Sequence, residues 1–166
     1  TVDDRVVAGG HVSSQLALFD GKVWTPVPPH PGGVLTEYTV GAVGRSVYVG
    51  AGVKFGTKIC TNNLYSYDTV LGIWTEKSHF RMGPSVACAV VAGRVYSVGF
   101  QADRLCLGIY DPEHDLHVAV DVGTSLPSWF HDLSYSVCAF NNKLVLLPGG
   151  RPDVGHSSYL DPDPRP

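Results

Sequence analysis

Apolar residues along this chain fall in short runs, and four of the runs stop in the same way. Val6-Val7-Ala8-Gly9-Gly10, Val47-Tyr48-Val49-Gly50-Ala51-Gly52, Val95-Tyr96-Ser97-Val98-Gly99-Phe100 and Val145-Leu146-Leu147-Pro148-Gly149-Gly150 are β-rich and end on a glycine doublet or its remnant. Short apolar runs bounded by turn formers predict strands packed on both faces, because a helix needs a longer segment at helical period. A second set precedes three of them: Tyr38 to Val43, Val86 to Val91 and Tyr135 to Phe140. Gly44-Arg45, Gly93-Arg94 and Asn141-Asn142-Lys143 separate the two sets. Glycine and Asn accept the positive φ of tight turns, so each pair is predicted to be a β-hairpin, with its basic residue solvated on one rim.

Polar punctuation keeps the same beat. Phe19-Asp20 precedes Trp24, Tyr67-Asp68 precedes Trp74, Tyr110-Asp111-Pro112 precedes His117, and a fourth copy begins at Tyr159-Leu160-Asp161-Pro162. With the hairpin strands named a and b, these add a strand c carrying the Asp and an outer strand d near the Trp. The glycine stops end at positions 10, 52, 100 and 150, spaced by 42, 48 and 50 residues, a period that suits four-stranded propeller blades. The expected fold is all-β, a partial β-propeller of about three and a half four-stranded blades. It covers residues 1–160, with repeats near 1–35, 36–84, 85–134 and an incomplete 135–160, and a disordered tail at 161–166. Both partial repeats contain a b strand, so they do not merge, and an open array leaves sheet faces uncovered. The pattern predicts an excerpt of a longer propeller, with the remaining blades on the parent chain or on another chain.

The repeated residues carry structural expectations. Gly9, Gly10, Gly52, Gly99, Gly149 and Gly150 sit where strand b ends and a Cβ meets either close backbone or a forbidden dihedral. Trp24 and Trp74 are expected between neighbouring blades. Tyr67, Asp68, Tyr110 and Asp111 belong to the same repeat, and the carboxylates, Asp20 included, are expected to accept hydrogen bonds that fix the turn after strand c.

A hydrophobic strand, a Gly-Gly stop, a Tyr-Asp strand and then Trp is an order that resembles the kelch repeat over essentially all 166 residues. Gly50-Ala51-Gly52 and Gly99-Phe100 degrade the doublet, His117 stands for a Trp, and the fourth Trp is absent. The block from Tyr67-Asp68 to Trp74, followed by Met82 and Val95-Tyr96, is similar to the kelch-like adaptors of animal cells. That resemblance implies a protein-interaction module whose b–c and d–a loops share one binding face, recruiting substrates to a cullin-type ubiquitin ligase. It also implies alternatives. One is a kelch-propeller enzyme similar to galactose-oxidase-type copper oxidases, with Cys60 tested for a Tyr-Cys crosslink, or to sialic-acid mutarotases; another is a structural subunit of a larger assembly.

On such a face the b–c loops are Gly10 to Gln15, Gly52 to Asn63, Phe100 to Arg104 and Gly150 to Ser158. The d–a loops are Pro26 to Thr36, Lys77 to Ser85 and Gly123 to Ser134. Two stretches stand out: Phe55 between Lys54 and Lys58, and the adjacent Trp129, Phe130 and His131. Arg81, Arg104 and Arg151 fall on the same face. Aromatic and Arg side chains are enriched at interaction hot spots, and a recess lined by Arg suits an acidic peptide or carboxylate. Phe55, Arg81, Arg104, Trp129, Phe130, His131 and Arg151 are therefore the candidate partner-binding residues for a protein or peptide ligand.

Composition narrows the classes. Hydrophobic residues at 44% and charged at 16% describe a core-forming chain, and a net charge of −3 without a basic block argues against a nucleic-acid partner. No apolar run approaches the roughly 20 residues that span a bilayer, so no membrane partner is expected. Cys60, Cys88, Cys106 and Cys138, spaced by 28, 18 and 32 residues, match no zinc or redox motif. Counting back from the b strands puts Cys88 and Cys138 in the slot of Val40, a small buried position; four free thiols would fit a reducing, cytoplasmic setting, while the even count leaves a disulfide pairing open. His114 and His117 lie across a turn rather than on one helix face, so no metal is expected there. With no phosphate loop, nucleophile elbow or paired-His motif, no catalytic residue is assigned and no cofactor is expected.

Overall fold

A computed structural model describes residues 5–9, 14–36, 38–50, 52–79, 85–101, 104–122 and 135–148. Gly10, Gly149, Gly150, Arg81, Trp129, Phe130, His131, Arg151 and the tail at 161–166 lie outside the described residues. Within them the chain is all strand and turn, and every pairing is antiparallel. The first sheet is β1 (Val6–Gly9), β2 (Leu16–Phe19) and β3 (Trp24–Pro26), the b, c and d strands of one blade. A full second blade follows as β5 (Thr39–Val43), β6 (Ser46–Gly50), β8 (Leu64–Asp68) and β9 (Ile73–Lys77). The third is β10 (Ser85–Val91), β11 (Arg94–Gln101), β12 (Arg104–Asp111) and β13 (Leu116–Asp121), and β14 (Tyr135–Phe140) with β15 (Lys143–Pro148) forms the a–b hairpin of a fourth. Outside the blades, β4 (Leu35–Thr36) pairs with β7 (Val53–Lys54), a small sheet with no counterpart in the repeat pattern.

Neighbouring sheets pack through their innermost strands, β10 lying against β5 on one side and β14 on the other, as around a propeller axis. The side-chain alternation of a strand then assigns each face to one neighbour. Val47, Tyr67 and Trp74 are cross-strand partners on one face of the second blade, and they pack with Leu16, Leu18 and Val27 of the first. The opposite face supplies Tyr48 and Leu64, which pack with Val95, Cys106 and Tyr110 of the third. Tyr48 and Tyr110 meet with ring centroids 5.4 Å apart. A cross-strand set of Val, aromatic and Trp or His thus faces the preceding blade in the second and third blades.

The same rule places Trp24 on a face whose neighbouring blade is not among the described sheets. Val6, Phe19 and Trp24 form the equivalent set in the first blade, but no described sheet lies against them, so Trp24 is 51% exposed and stacks only on Phe19, 4.9 Å away. Trp74 does lie at a blade junction: its indole N–H donates to Pro28 O at 2.9 Å.

Register corrects the cysteines. The a–b turns are Gly44–Arg45, Ala92–Gly93 and Asn141–Asn142, so aligning the hairpins by their turns matches Val40 with Cys88 and Val137, not with Cys138. A one-residue shift puts a side chain on the other face. Cys138 is exposed accordingly, whereas Cys88 is half-buried with its thiol 2.7 Å from Val40 O in the neighbouring blade. Burial pushes the Cys88 thiol up from its ordinary range. Cys106 is buried and Cys60 exposed.

Arg94 is the first residue of β11 rather than part of the turn, where Ala92 takes a positive φ of 46° instead. Nor are the hairpin arginines merely solvated, since Arg45 reaches Asp68 at 3.0 Å and Arg94 reaches Asp111 at 3.2 Å.

The carboxylates also close the c–d turns. Asp20 Oδ1 accepts the N–H groups of Lys22 and Val23, both at 2.9 Å; Asp68 Oδ1 accepts those of Val70 and Leu71 at 2.9 and 3.0 Å. Asp111 Oδ1 accepts the Glu113 N–H at 3.0 Å.

Gly52 has no positive φ; a Cβ there would sit 2.7 Å from Thr36 O and 2.8 Å from Tyr38 Cβ, so close approach is what demands glycine. At Gly9 a Cβ would meet only side-chain ends under 3 Å away, Leu16 Cδ2 and the Tyr38 hydroxyl, which can shift, so the demand for glycine is weaker there. Gly99 lies within β11, one strand residue pairing with Cys106.

Candidate functional site

The b–c connection of the second blade folds back on itself as a flap. Lys54 N–H donates to Ile59 O at 3.0 Å and Thr61 N–H to Gly52 O at 2.8 Å, closing a hairpin around the Val53–Cys60 bridge. Its tip turns because Gly56 takes a φ of 74° and Thr57 Oγ1 donates to Lys54 O at 2.8 Å. The flap is tied to the preceding d–a loop by the β4–β7 pairing and by Phe55 N–H to Val34 O at 3.0 Å. Two non-local loops are thereby held together by backbone bonds, independent of side-chain identity.

Beneath the flap is a cleft of about 560 Å³. Pro31 and Gly32 of one d–a loop line it, with Cys60, Asn63 and Tyr65 of the second blade and His79 of the next d–a loop. Lys54 and Ile59 bring the flap itself to its rim. Asn63 Nδ2 donates to Tyr65 Oη at 3.2 Å and to Glu76 Oε1 at 2.9 Å, so the wall on that side is already hydrogen-bonded.

Behind the wall lies His30, 3% exposed, with ring centroids 6.1 Å from Tyr65 and 6.0 Å from Trp74. Its Nδ1 accepts the Gly32 N–H at 3.0 Å, which fixes the tautomer with the proton on Nε2. Desolvation holds this imidazole below its ordinary pKa. Gly32 is required here because a Cβ would meet the His30 ring at 2.9 Å and Tyr65 at 3.1 Å.

Of the residues singled out from sequence, Phe55 stands on the flap and is 60% exposed beside Ile59 at 61%. Arg104 is not a loop residue: it opens β12, and its guanidinium meets Asp121 of β13 at 2.9 Å, so it is occupied within its own sheet. Tyr65, Asn63 and His30 were not singled out; the signal available for Asn63 and His30 was their position in loops assigned to one face. Asp111, Glu113 and His114 also gather their ligand atoms within 4.8 Å at the third c–d turn. That group is on strands and a turn remote in sequence from the flap, and Asp111 is already shared by Arg94 and His114.

An F-box/kelch-repeat protein of Arabidopsis thaliana is 31% identical over 150 residues, matching 85% of this chain and 38% of the relative. Among solved structures, YjhT has a TM-score of 0.69 at 17% identity, over 89% of this chain and 55% of its own, a likeness of fold. No protein-family profile matches the chain. The chain spans 38% of the length of that curated relative.

Proposed function

Because the chain belongs to the kelch-repeat β-propeller family, we propose that it is a partner-recruiting module that binds a protein or peptide at the flap and the cleft beneath it. The carrying observation is the convergence of two d–a loops and one b–c loop on a single recess, with exposed Phe55 and Ile59 above it. Apolar anchors beside a half-polar recess are the ordinary composition of an interaction hot spot. Lys54 and Lys58 add positive charge to a chain whose net charge is −3. We further propose that the bound protein is a substrate for a cullin-type ubiquitin ligase, as the likeness to kelch-like adaptors implies, and that the four free thiols suit a cytoplasmic setting. The Val6, Phe19 and Trp24 face supports a further blade seated against it, from the same polypeptide or another.

Affinity capture from lysate tests this. A folded Phe55→Ala, Ile59→Ala variant is expected to lose the partners that the wild type retains, and those partners are expected to accumulate when the protein is depleted from cells. Unchanged capture by the flap variant would remove the flap from the binding surface, with a Trp129→Ala, Phe130→Ala variant then testing the following d–a loop. Capture without accumulation would leave binding and remove the ligase role.

A further inference from the structure

The flap leaves one backbone edge unpaired. Its two internal bonds, Lys54 N–H to Ile59 O and Thr61 N–H to Gly52 O, flank the Val53–Cys60 bridge. Val53 and Cys60 are therefore a non-hydrogen-bonded pair, and the N–H and C=O of Cys60 point away from Val53. Among the described residues no hydrogen bond engages that N–H or C=O. Cys60, Thr61 and Asn62 all line the cleft, and Cys60 is exposed, so nothing described covers this edge. On its other side the small sheet is already complete, because β7 pairs with β4.

We propose that the Cys60 edge receives an extended acidic peptide of a partner protein, which adds as a strand to the flap inside the cleft. An outward N–H and C=O on one extended residue offer an incoming strand a donor and an acceptor, and alternate side chains of that strand then meet the cleft wall. Charge selects the peptide: residues 52–63 hold Lys54 and Lys58 and no carboxylate, in a chain with 15 acidic residues. Neither lysine has an ion-pair partner among the described residues. Ile59, exposed beside Cys60, gives apolar residues of the peptide a surface. The inference rests on the loop-face reading above and adds to it the conformation and charge of the ligand.

A phage-displayed random peptide library, selected on the full chain, is the probe. Enriched peptides are expected to be acidic, and their synthetic forms to lose affinity when the one backbone nitrogen opposite Cys60 is methylated, and not when either neighbouring nitrogen is. Cys60→Pro removes the outward N–H while leaving both internal flap bonds, and is expected to weaken binding roughly fivefold, the worth of about one hydrogen bond. Cys60→Ser keeps the N–H and is expected to lose less affinity than the proline variant. Methylation that has no effect at any position, or equal effects at neighbouring positions, overturns strand addition whatever the folding of the proline variant. If such peptides still lose affinity on Lys54→Ala, Lys58→Ala or Phe55→Ala substitution, the loop face stands and only the strand geometry falls. Peptides indifferent to all of these substitutions, or the absence of any enriched peptide, would overturn the inference, and the former would also move binding away from the loop face.

Discussion

Two side chains show how a single position is set by forces that its neighbours in sequence do not reveal. Ala92 begins a two-residue hairpin turn with φ of 46°, followed by Gly93 at 75°, while the matching turn holds Asn141 and Asn142 at 47° and 56°. A Cβ in left-handed backbone costs about 1 kcal/mol or more, and Asn tolerates it better than Ala. Ala92→Asn is therefore expected to raise stability by about 0.5–1 kcal/mol, read as a higher urea midpoint at unchanged slope; a lower midpoint would contradict the turn geometry. His30 is the second case. Its folded pKa lies below the unfolded value of about 6.5, so the folded protein binds fewer protons than the unfolded chain. The stability that neutral His30 contributes is complete above about pH 6.5 and is lost as pH falls through the lower folded value. Urea midpoints should decline on acidification below that point, and His30→Asn, which retains an acceptor for the Gly32 N–H without titrating, should flatten the decline. An unchanged slope in that variant would assign the pH dependence to other groups.

At the scale of elements, the strand order, the existence of each a–b hairpin and the closure of the c–d turns by Asp were legible in the sequence, while the second a–b turn lies one residue earlier, at Ala92–Gly93, than the Gly-Arg pair implied. They are local: period-two alternation marks a strand, Gly or Asn marks a turn, and an Asp carboxylate reaches N–H groups two and three residues on. The closing carboxylates titrate with a common sign. Asp20 and Asp68 are held below their usual range first by the N–H groups of Val23 and Leu71, respectively. At Asp111 partial burial raises the pKa, but His114, the Glu113 N–H and Arg94 together bring it down. Their contribution is complete above the unfolded carboxylate value of about 3.9 and is lost as pH falls through the lower folded values. Acid unfolding of an Asp20→Asn, Asp68→Asn, Asp111→Asn variant should depend less steeply on pH in that range, and a profile parallel to the wild type would show the carboxylates to be unlinked to folding. The fourth hairpin was less legible. Counting back from an apolar residue in strand b misplaces Cys138 by one, because the turn, and not the spacing of apolar residues, fixes register in a hairpin.

For the whole molecule, the two equivalent indoles report how blades depend on one another. Trp74 packs against Tyr67 at 5.1 Å and is hydrogen-bonded to the Pro28 carbonyl across the junction, whereas Trp24 is half in solvent. Trp74→Ala is expected to cost about 3 kcal/mol and Trp24→Ala less than about 1 kcal/mol; equal losses in urea unfolding would mean that Trp24 is covered in solution. Apolar side chains are exposed at both ends of the array, Val6 and Trp24 on one sheet and Phe140 and Leu147 on another. Such surfaces drive association. Sedimentation of the 166-residue chain should show concentration-dependent association that Trp24→Lys with Phe140→Lys reduces, and a monomer at every concentration would mean that these faces are covered within the chain.

From its own sequence this protein's strand inventory, blade period and turn chemistry could be read, since each depends on residues within one hairpin of each other. Contacts between residues far apart in the chain decided the rest. They set which face of each blade is covered, and they hung a flap from a d–a loop by bonds between backbones that carry no side-chain signature. The cleft and its open Cys60 edge exist only because residues 31–36, 53–63 and 79 meet, and no local pattern of apolar and polar positions encodes a meeting of that kind.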